Sequence, residues 1–271
     1  MIFDSNLAWQ QAAAAIRSNR EVLFALAGVF FLLPILAFAL IFPQPSPPAG
    51  ADEAAMMALA VQYYGQTLPF ALPMALVQAA GTMAMLMLMT DRTRPTVGQA
   101  IRLGFMLMPV YIGAQLLLGF GVGMGGLVVL GLLGLTGAKA VVTAGVLALF
   151  AFGAYVWVRT SLSAPVVAVE RMRNPWRALT RSWALTRGNG LRVVVFYALI
   201  LLVFAILFSI VMALVGIVLA VLLPVKPATL LAAVISAALQ STMGLTFVAA
   251  LAATHAQLAG EPAEGIGHTF D

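Results

Sequence analysis

The sequence predicts an all-α fold: a polytopic transmembrane helical bundle of six spans, built as three helical hairpins, each preceded by a cytoplasmic amphipathic helix. Three observations predict it. Hydrophobic residues make up 63% of the 271 residues and charged residues 8%, where a soluble domain carries about 25% charged residues. No soluble fold of this size could hide so much apolar surface. Six apolar runs are each long enough to cross a hydrocarbon core, since about 20 residues at about 1.5 Å rise span about 30 Å. The arginines all fall in alternate connections between those runs.

The elements follow in chain order. Residues 4–19 read as a short amphipathic helix, capped by Asp4, Ser5 or Asn6 and closed by Arg17 and Arg20. Phe3, Leu7 and Ile16 are expected to face lipid, with Trp9 near the interface. The first span covers residues 22–42, and Pro34 is expected to kink it. Ala37-Phe38-Ala39 mimics a signal-peptide cleavage site, but the apolar run outlasts a normal signal core, so an uncleaved anchor is expected. Residues 43–50 (PQPSPPAG) form a stiff, extended linker. Asp52 and Glu53 open a short helix whose Met57, Val61 and Tyr64 rest on the outer surface.

The second span covers residues 68–89. Thr96 and Gln99 have capping-box spacing at the start of another short helix, residues 96–104. The third span, residues 105–135, is too long for one untilted crossing. Gly119, Gly121, Gly123, Gly125 and Gly126 predict a close-packed, tilted or broken helix there. The remaining spans are expected at residues 140–158, 193–223 and 228–255.

Residues 164–189 are the one long stretch neither apolar enough to span nor rich enough in Pro and Gly to be a plain linker. They carry Arg171, Arg173, Arg177, Arg181 and Arg187, with Trp176 and Trp183 between them. Asn174 can cap a helix and Pro175 fits its first position. Trp176, Leu179 and Trp183 share one face, and Arg177 and Arg181 another. A helix lying on the inner membrane surface is expected, ended by Gly188 or Gly190.

Arg17, Arg20, Arg92, Arg94, Arg102, Arg159 and Arg192 lie on the same side as those five arginines. Lys139 and Lys226 lie on the other. Positive charge collects inside, so both termini are expected in the cytoplasm. The chain reads as one integral membrane domain, residues 1–271, in three units: 1–95, 96–170 and 171–271. Ala15-Ile16-Arg17 recurs as Ala100-Ile101-Arg102 in corresponding places of the first two units.

The chemistry offered is limited. With no cysteine, thiolate zinc and iron–sulfur sites are excluded. His255 and His268 have no carboxylate or second histidine at ligand spacing, so no metal or other cofactor is implied. Nucleotide-binding and esterase motifs are missing. Glu170 is expected to pair with Arg173 or Arg177. The net charge of +5 lies between spans, which favours anionic lipid headgroups over nucleic acid. Gln78, Gln115 and Gln240, one in each unit, either line a polar bundle interior or bond between helices.

Ala164-Pro165-Val166-Val167-Ala168-Val169-Glu170, then Ala178-Leu179, Ser182-Trp183 and Leu185-Thr186-Arg187-Gly188-Asn189, resemble the signature of a bacterial membrane-domain family. That family includes the YciC-type inner membrane proteins and the membrane domain of some glycerophosphodiester phosphodiesterases. The resemblance implies a helical inner-membrane protein. It does not bring phosphodiesterase activity, because no catalytic carboxylate cluster accompanies it here.

The expected function is therefore non-enzymatic: a lipid-interacting membrane organiser, or an accessory subunit with a membrane-protein partner. The five arginines would contact phosphate and the two tryptophans would set depth. The alternative is a transporter or lipid translocator using the bundle interior.

Overall fold

The computed structural model describes residues 2–43, 45, 50, 52–90 and 95–260. Arg92, Arg94, His268 and most of the Pro-rich linker lie outside the described residues. Among the described residues every regular element is a helix. Six helices are long and apolar enough to cross a membrane: Arg20–Ile41, Glu53–Thr90, Val97–Gly134, Lys139–Val169, Gly190–Leu222 and Val225–Ala259. The chain is an all-α, multi-pass membrane protein.

Helix α1, Ser5–Ser18, begins where the Asp4 side chain accepts from the backbone N–H groups of Asn6 and Leu7. Its buried face is Ala8, Ala12 and Ala15, small enough to let it lie close on the last helix, its main partner. Phe3, expected in lipid, is instead buried and meets Phe196 edge to face.

The first span has three parts: α2 (Arg20–Ala27), a π-helical turn (Gly28–Leu32) and α3 (Leu33–Ile41). Pro34 has no N–H to donate, and its ring would crowd the carbonyl four residues back. The preceding turn widens, and the Leu33 N–H bonds five residues back to the Gly28 carbonyl. The expected distortion is thus a π-turn just before Pro34. It turns Phe30 and Phe31 to two different neighbours. A Cβ on Gly81 would overlap the Phe30 side chain, and one on Gly244 would lie 2.9 Å from Phe31. At the same turn, the Ser241 hydroxyl donates to the Ala27 carbonyl at 3.0 Å.

The second span, α4 (Glu53–Thr90), and the third, α5 (Val97–Gly134), are each single helices of 38 residues. The short outer-surface helix and the short helix at residues 96–104 are therefore not separate. Each runs straight into its span, the helix continuing through Pro69 and Pro73 in α4 and Pro109 in α5 although each proline removes one N–H from the ladder. Helices this long measure about 57 Å at about 1.5 Å per residue, so they tilt or protrude beyond the bilayer core. Thr96 and Gln99 do form the reciprocal capping box. At the α4–α5 crossing, a Cβ on Gly104 would come within 2.7 Å of the Ala80 carbonyl oxygen.

The glycine run of α5 is a correction of another kind. Added Cβ atoms on Gly119, Gly121, Gly123 and Gly125 would meet nothing within 4 Å, and one on Gly126 only reaches Leu149 at 3.9 Å. The helix is unbroken there, and Gly119, Gly121, Gly123 and Gly125 pack against no other helix.

Helix α6 (Lys139–Thr160) leads into α7 (Ser163–Val169) and α8 (Pro175–Leu185), and then come α9 (Gly190–Leu222) and α10 (Val225–Ala259). The expected single surface helix at residues 164–189 is divided. Its first part, α7, is buried from Ser163 to Ala168 against α4, α5, α8 and α10. Apolar Ala164-Pro165-Val166-Val167-Ala168 gains more from burial than from lying at a wet interface.

The buried core gathers at the end of the bundle that carries α1, α7 and α8. It takes Met83 to Met89 of α4, Ala100 and Leu107 of α5, Val193 to Ile200 of α9, and Leu245 to Ala256 of α10. The opposite ends are open: the most apolar window of α5 is 0% buried and that of α9 is 6% buried. Lipid tails are as apolar as leucine, so nothing forces those surfaces together.

Candidate functional site

The site is built on α8 and the chain on either side. Asn174 has extended backbone and accepts from the Arg177 N–H at 3.1 Å, with Pro175 at the first helical position. One face of α8, Ala178, Leu179 and Ser182, is buried on the bundle. Behind it, the Ser182 and Thr186 hydroxyls both donate to the Arg159 carbonyl, at 3.0 and 3.2 Å. They fasten α8 to the end of α6.

That docking leaves Arg171, Arg173, Arg177, Arg181 and Arg187 exposed. Arg171 holds a left-handed backbone at φ 50, an uncommon geometry for a side-chain-bearing residue. It sharpens the turn between α7 and α8. Trp176 and Trp183 are exposed too and line an apolar groove of about 450 Å³. Leu117 and Val122 of α5 and Phe152 and Val156 of α6 form its other walls. The five arginines and two tryptophans therefore sit in one segment, and the two tryptophans line a groove that opens sideways between two spans.

Glu170, expected to pair with Arg173 or Arg177, instead receives Nε of Arg181 on both carboxylate oxygens at 3.1 Å. The tight turn at Arg171 carries it past its nearer neighbours. Its Oε1 also lies 3.2 Å from His255 Nε2. His255 is buried near the end of α10. The carboxylate thus ties α8 to the last span, a link between residues 85 positions apart. No spacing rule connects residues so far apart, so the link is not legible in the sequence.

The three glutamines are not brought together. Gln115 donates to Ser163 at 3.5 Å and Gln240 to Ser236, one turn back on its own helix, at 2.9 Å. Gln78 is half-buried on α4. Gln240 also borders a second apolar groove, between α9 and α10, with Leu201, Phe204 and Phe208.

In the sequence Arg159 is one more arginine on the N-terminal side, directly after the span at residues 140–158. In the structure it is 6% exposed, with its guanidinium carbon 4.6 Å from the Trp183 ring centroid and 6.0 Å from that of Tyr155. The available signal was the neighbouring Tyr155-Val156-Trp157, an aromatic pair beside an arginine at a span end.

No family model, no curated protein and no solved structure matches the chain.

Proposed function

We propose that this chain is a non-enzymatic integral protein of the bacterial inner membrane, with both termini in the cytoplasm. It binds anionic lipid along α8 and so organises the surrounding membrane or serves as an accessory subunit of a membrane complex. One observation carries the reading: Arg171, Arg173, Arg177, Arg181 and Arg187 are exposed on the same segment whose Trp176 and Trp183 line a lateral apolar groove. Each arginine near an anionic surface contributes about 1 kcal/mol. An apolar groove reaching between two spans suits an acyl chain, and interfacial tryptophans suit headgroup depth. The resemblance to the YciC-type family supports the same kind of object, a membrane domain without a catalytic unit.

The test is to replace the five arginines with glutamine and measure how much phosphatidylglycerol stays with the purified protein. Retention should fall severalfold, and the loss should resemble the effect of high salt on the native chain. Unchanged retention rejects the lipid role. The translocator alternative has weaker support, since Gln115 and Gln240 spend their hydrogen bonds on nearby serines.

A further inference from the structure

We propose that Arg159 and the first turn of α9 form a binding site for a phosphate-bearing anion. The proposal deepens the lipid reading by naming one buried site for the headgroup, distinct from the exposed arginines. Arg159 is 6% exposed, and its Nε is buried without a hydrogen-bond partner. Among the described residues no carboxylate pairs with it. The hydroxyls of Ser182 and Thr186 donate to its backbone carbonyl and not to its side chain. What the guanidinium has is the face of Trp183. A ring face attracts a cation but accepts none of its N–H groups in the way a carboxylate would. A buried charge is normally both paired and hydrogen-bonded, so the arrangement is complete only with an anion.

The second observation is the helix that begins beside it. Helix α9 has 33 residues and no side chain caps its first turn. Asn189 stands at the capping position, yet its Oδ1 accepts from the backbone N–H of Phe3 at 2.9 Å. The start of α9 therefore presents N–H groups and the positive end of the helix dipole. The two features meet at Gly190. A Cβ there would lie 3.4 Å from Arg159 Cδ and 3.6 Å from Nη1. With glycine at 190, that residue puts no side chain into the space between the guanidinium and the first turn of α9.

An oxyanion in it would accept charge-assisted bonds from both sides. Arg187 and Arg192, exposed on either side of the turn, add positive potential along the approach. A tetrahedral phosphate suits a fork of guanidinium donors facing a helix N-terminus. Its source is either a phospholipid headgroup or a soluble phosphate.

The experiment uses the full chain, delipidated in a neutral detergent. Dihexanoyl phosphatidylglycerol, inorganic phosphate and uncharged dihexanoylglycerol are titrated separately, with thermal unfolding and tryptophan fluorescence as readouts. Stabilisation by the phospholipid alone identifies a headgroup site. Stabilisation by inorganic phosphate as well identifies a general phosphate site. In either case Arg159→Gln should weaken the apparent affinity by about tenfold or more.

Gly190→Ala places a methyl group in the cradle at ordinary contact distance. It should fold and bind as poorly, which keeps the test informative if Arg159→Gln does not fold. No response to either phosphate compound overturns the proposal, as does a response that survives in Gly190→Ala. Retention of lipid by the five-arginine variant would reject the surface reading alone. The Arg159 and Gly190 titrations decide this site separately.

Discussion

Glu170 touches two side chains in unlike settings, and the difference sets their energies. The Arg181 side chain is 44% exposed, while that of His255 is 1% exposed. An exposed ion pair contributes about 0.5 kcal/mol, whereas a hydrogen bond between a charged group and a buried partner contributes about 1.5–3 kcal/mol. In a double-mutant cycle read by denaturant unfolding, Glu170→Gln should therefore couple more strongly to His255→Asn than to Arg181→Gln. Stronger coupling to Arg181 would mean that the carboxylate is held mainly from the surface. The sequence indicated that Glu170 needed a partner, because a lone acid among arginines is seldom left unpaired. It could not name His255, which the fold brings from another span. Arg159 was hidden for a similar reason. An arginine ending an apolar run is ordinarily an anchor, and only the docking of α8 over it makes it a buried charge.

Among elements, the glycines divide into two groups that the sequence could not tell apart. Gly81 sits where the π-turn points Phe30, whereas Gly121 and Gly123 face open space. Gly81→Ala forces the Phe30 side chain to move, at a cost of about 1–3 kcal/mol for overpacking. Gly123→Ala meets no neighbour and gains up to about 1 kcal/mol in helix propensity. Thermal unfolding of the two variants in one detergent should shift in opposite directions.

Caps were legible because they depend on a few adjacent residues: Asp4, Thr96 with Gln99, and Asn174 with Pro175 all act as their spacing indicated. Asn174→Ala should lower the stability of the α8 docking by about 1 kcal/mol, visible as faster proteolysis at Arg177. The division of residues 164–189 into a buried helix and a surface helix was not legible. Polar composition averaged over 26 residues masks an apolar first third. Nor was it legible that the helix expected before the third span is continuous with it.

At the scale of the molecule, the described arginines gather at the end where the spans are packed, and the lysines Lys139 and Lys226 start helices that lead towards it. If that end faces the cytoplasm, a cysteine placed at Arg173 should be shielded from an impermeant thiol reagent in intact cells. One placed at Lys226 should react. Reversal of the pattern would invert the proposed topology. The span count followed from hydropathy alone. The uneven packing along the spans did not, because an apolar residue reads the same whether its neighbour is a side chain or a lipid tail.

The contacts of α1 carry a consequence for assembly. Its first residues are fixed by Asn189 and by Gln257, whose side chain both accepts from the Asp4 N–H and donates to the Asp4 carbonyl. Gln257 is near the end of α10, and synthesis proceeds from the N-terminus at about 5–20 residues per second. The platform for α1 is therefore absent for at least about ten seconds after α1 emerges. During that time its alanine face can only rest on the membrane. The first helix made is the last to be seated, and a chain stopped before α10 would leave it unseated.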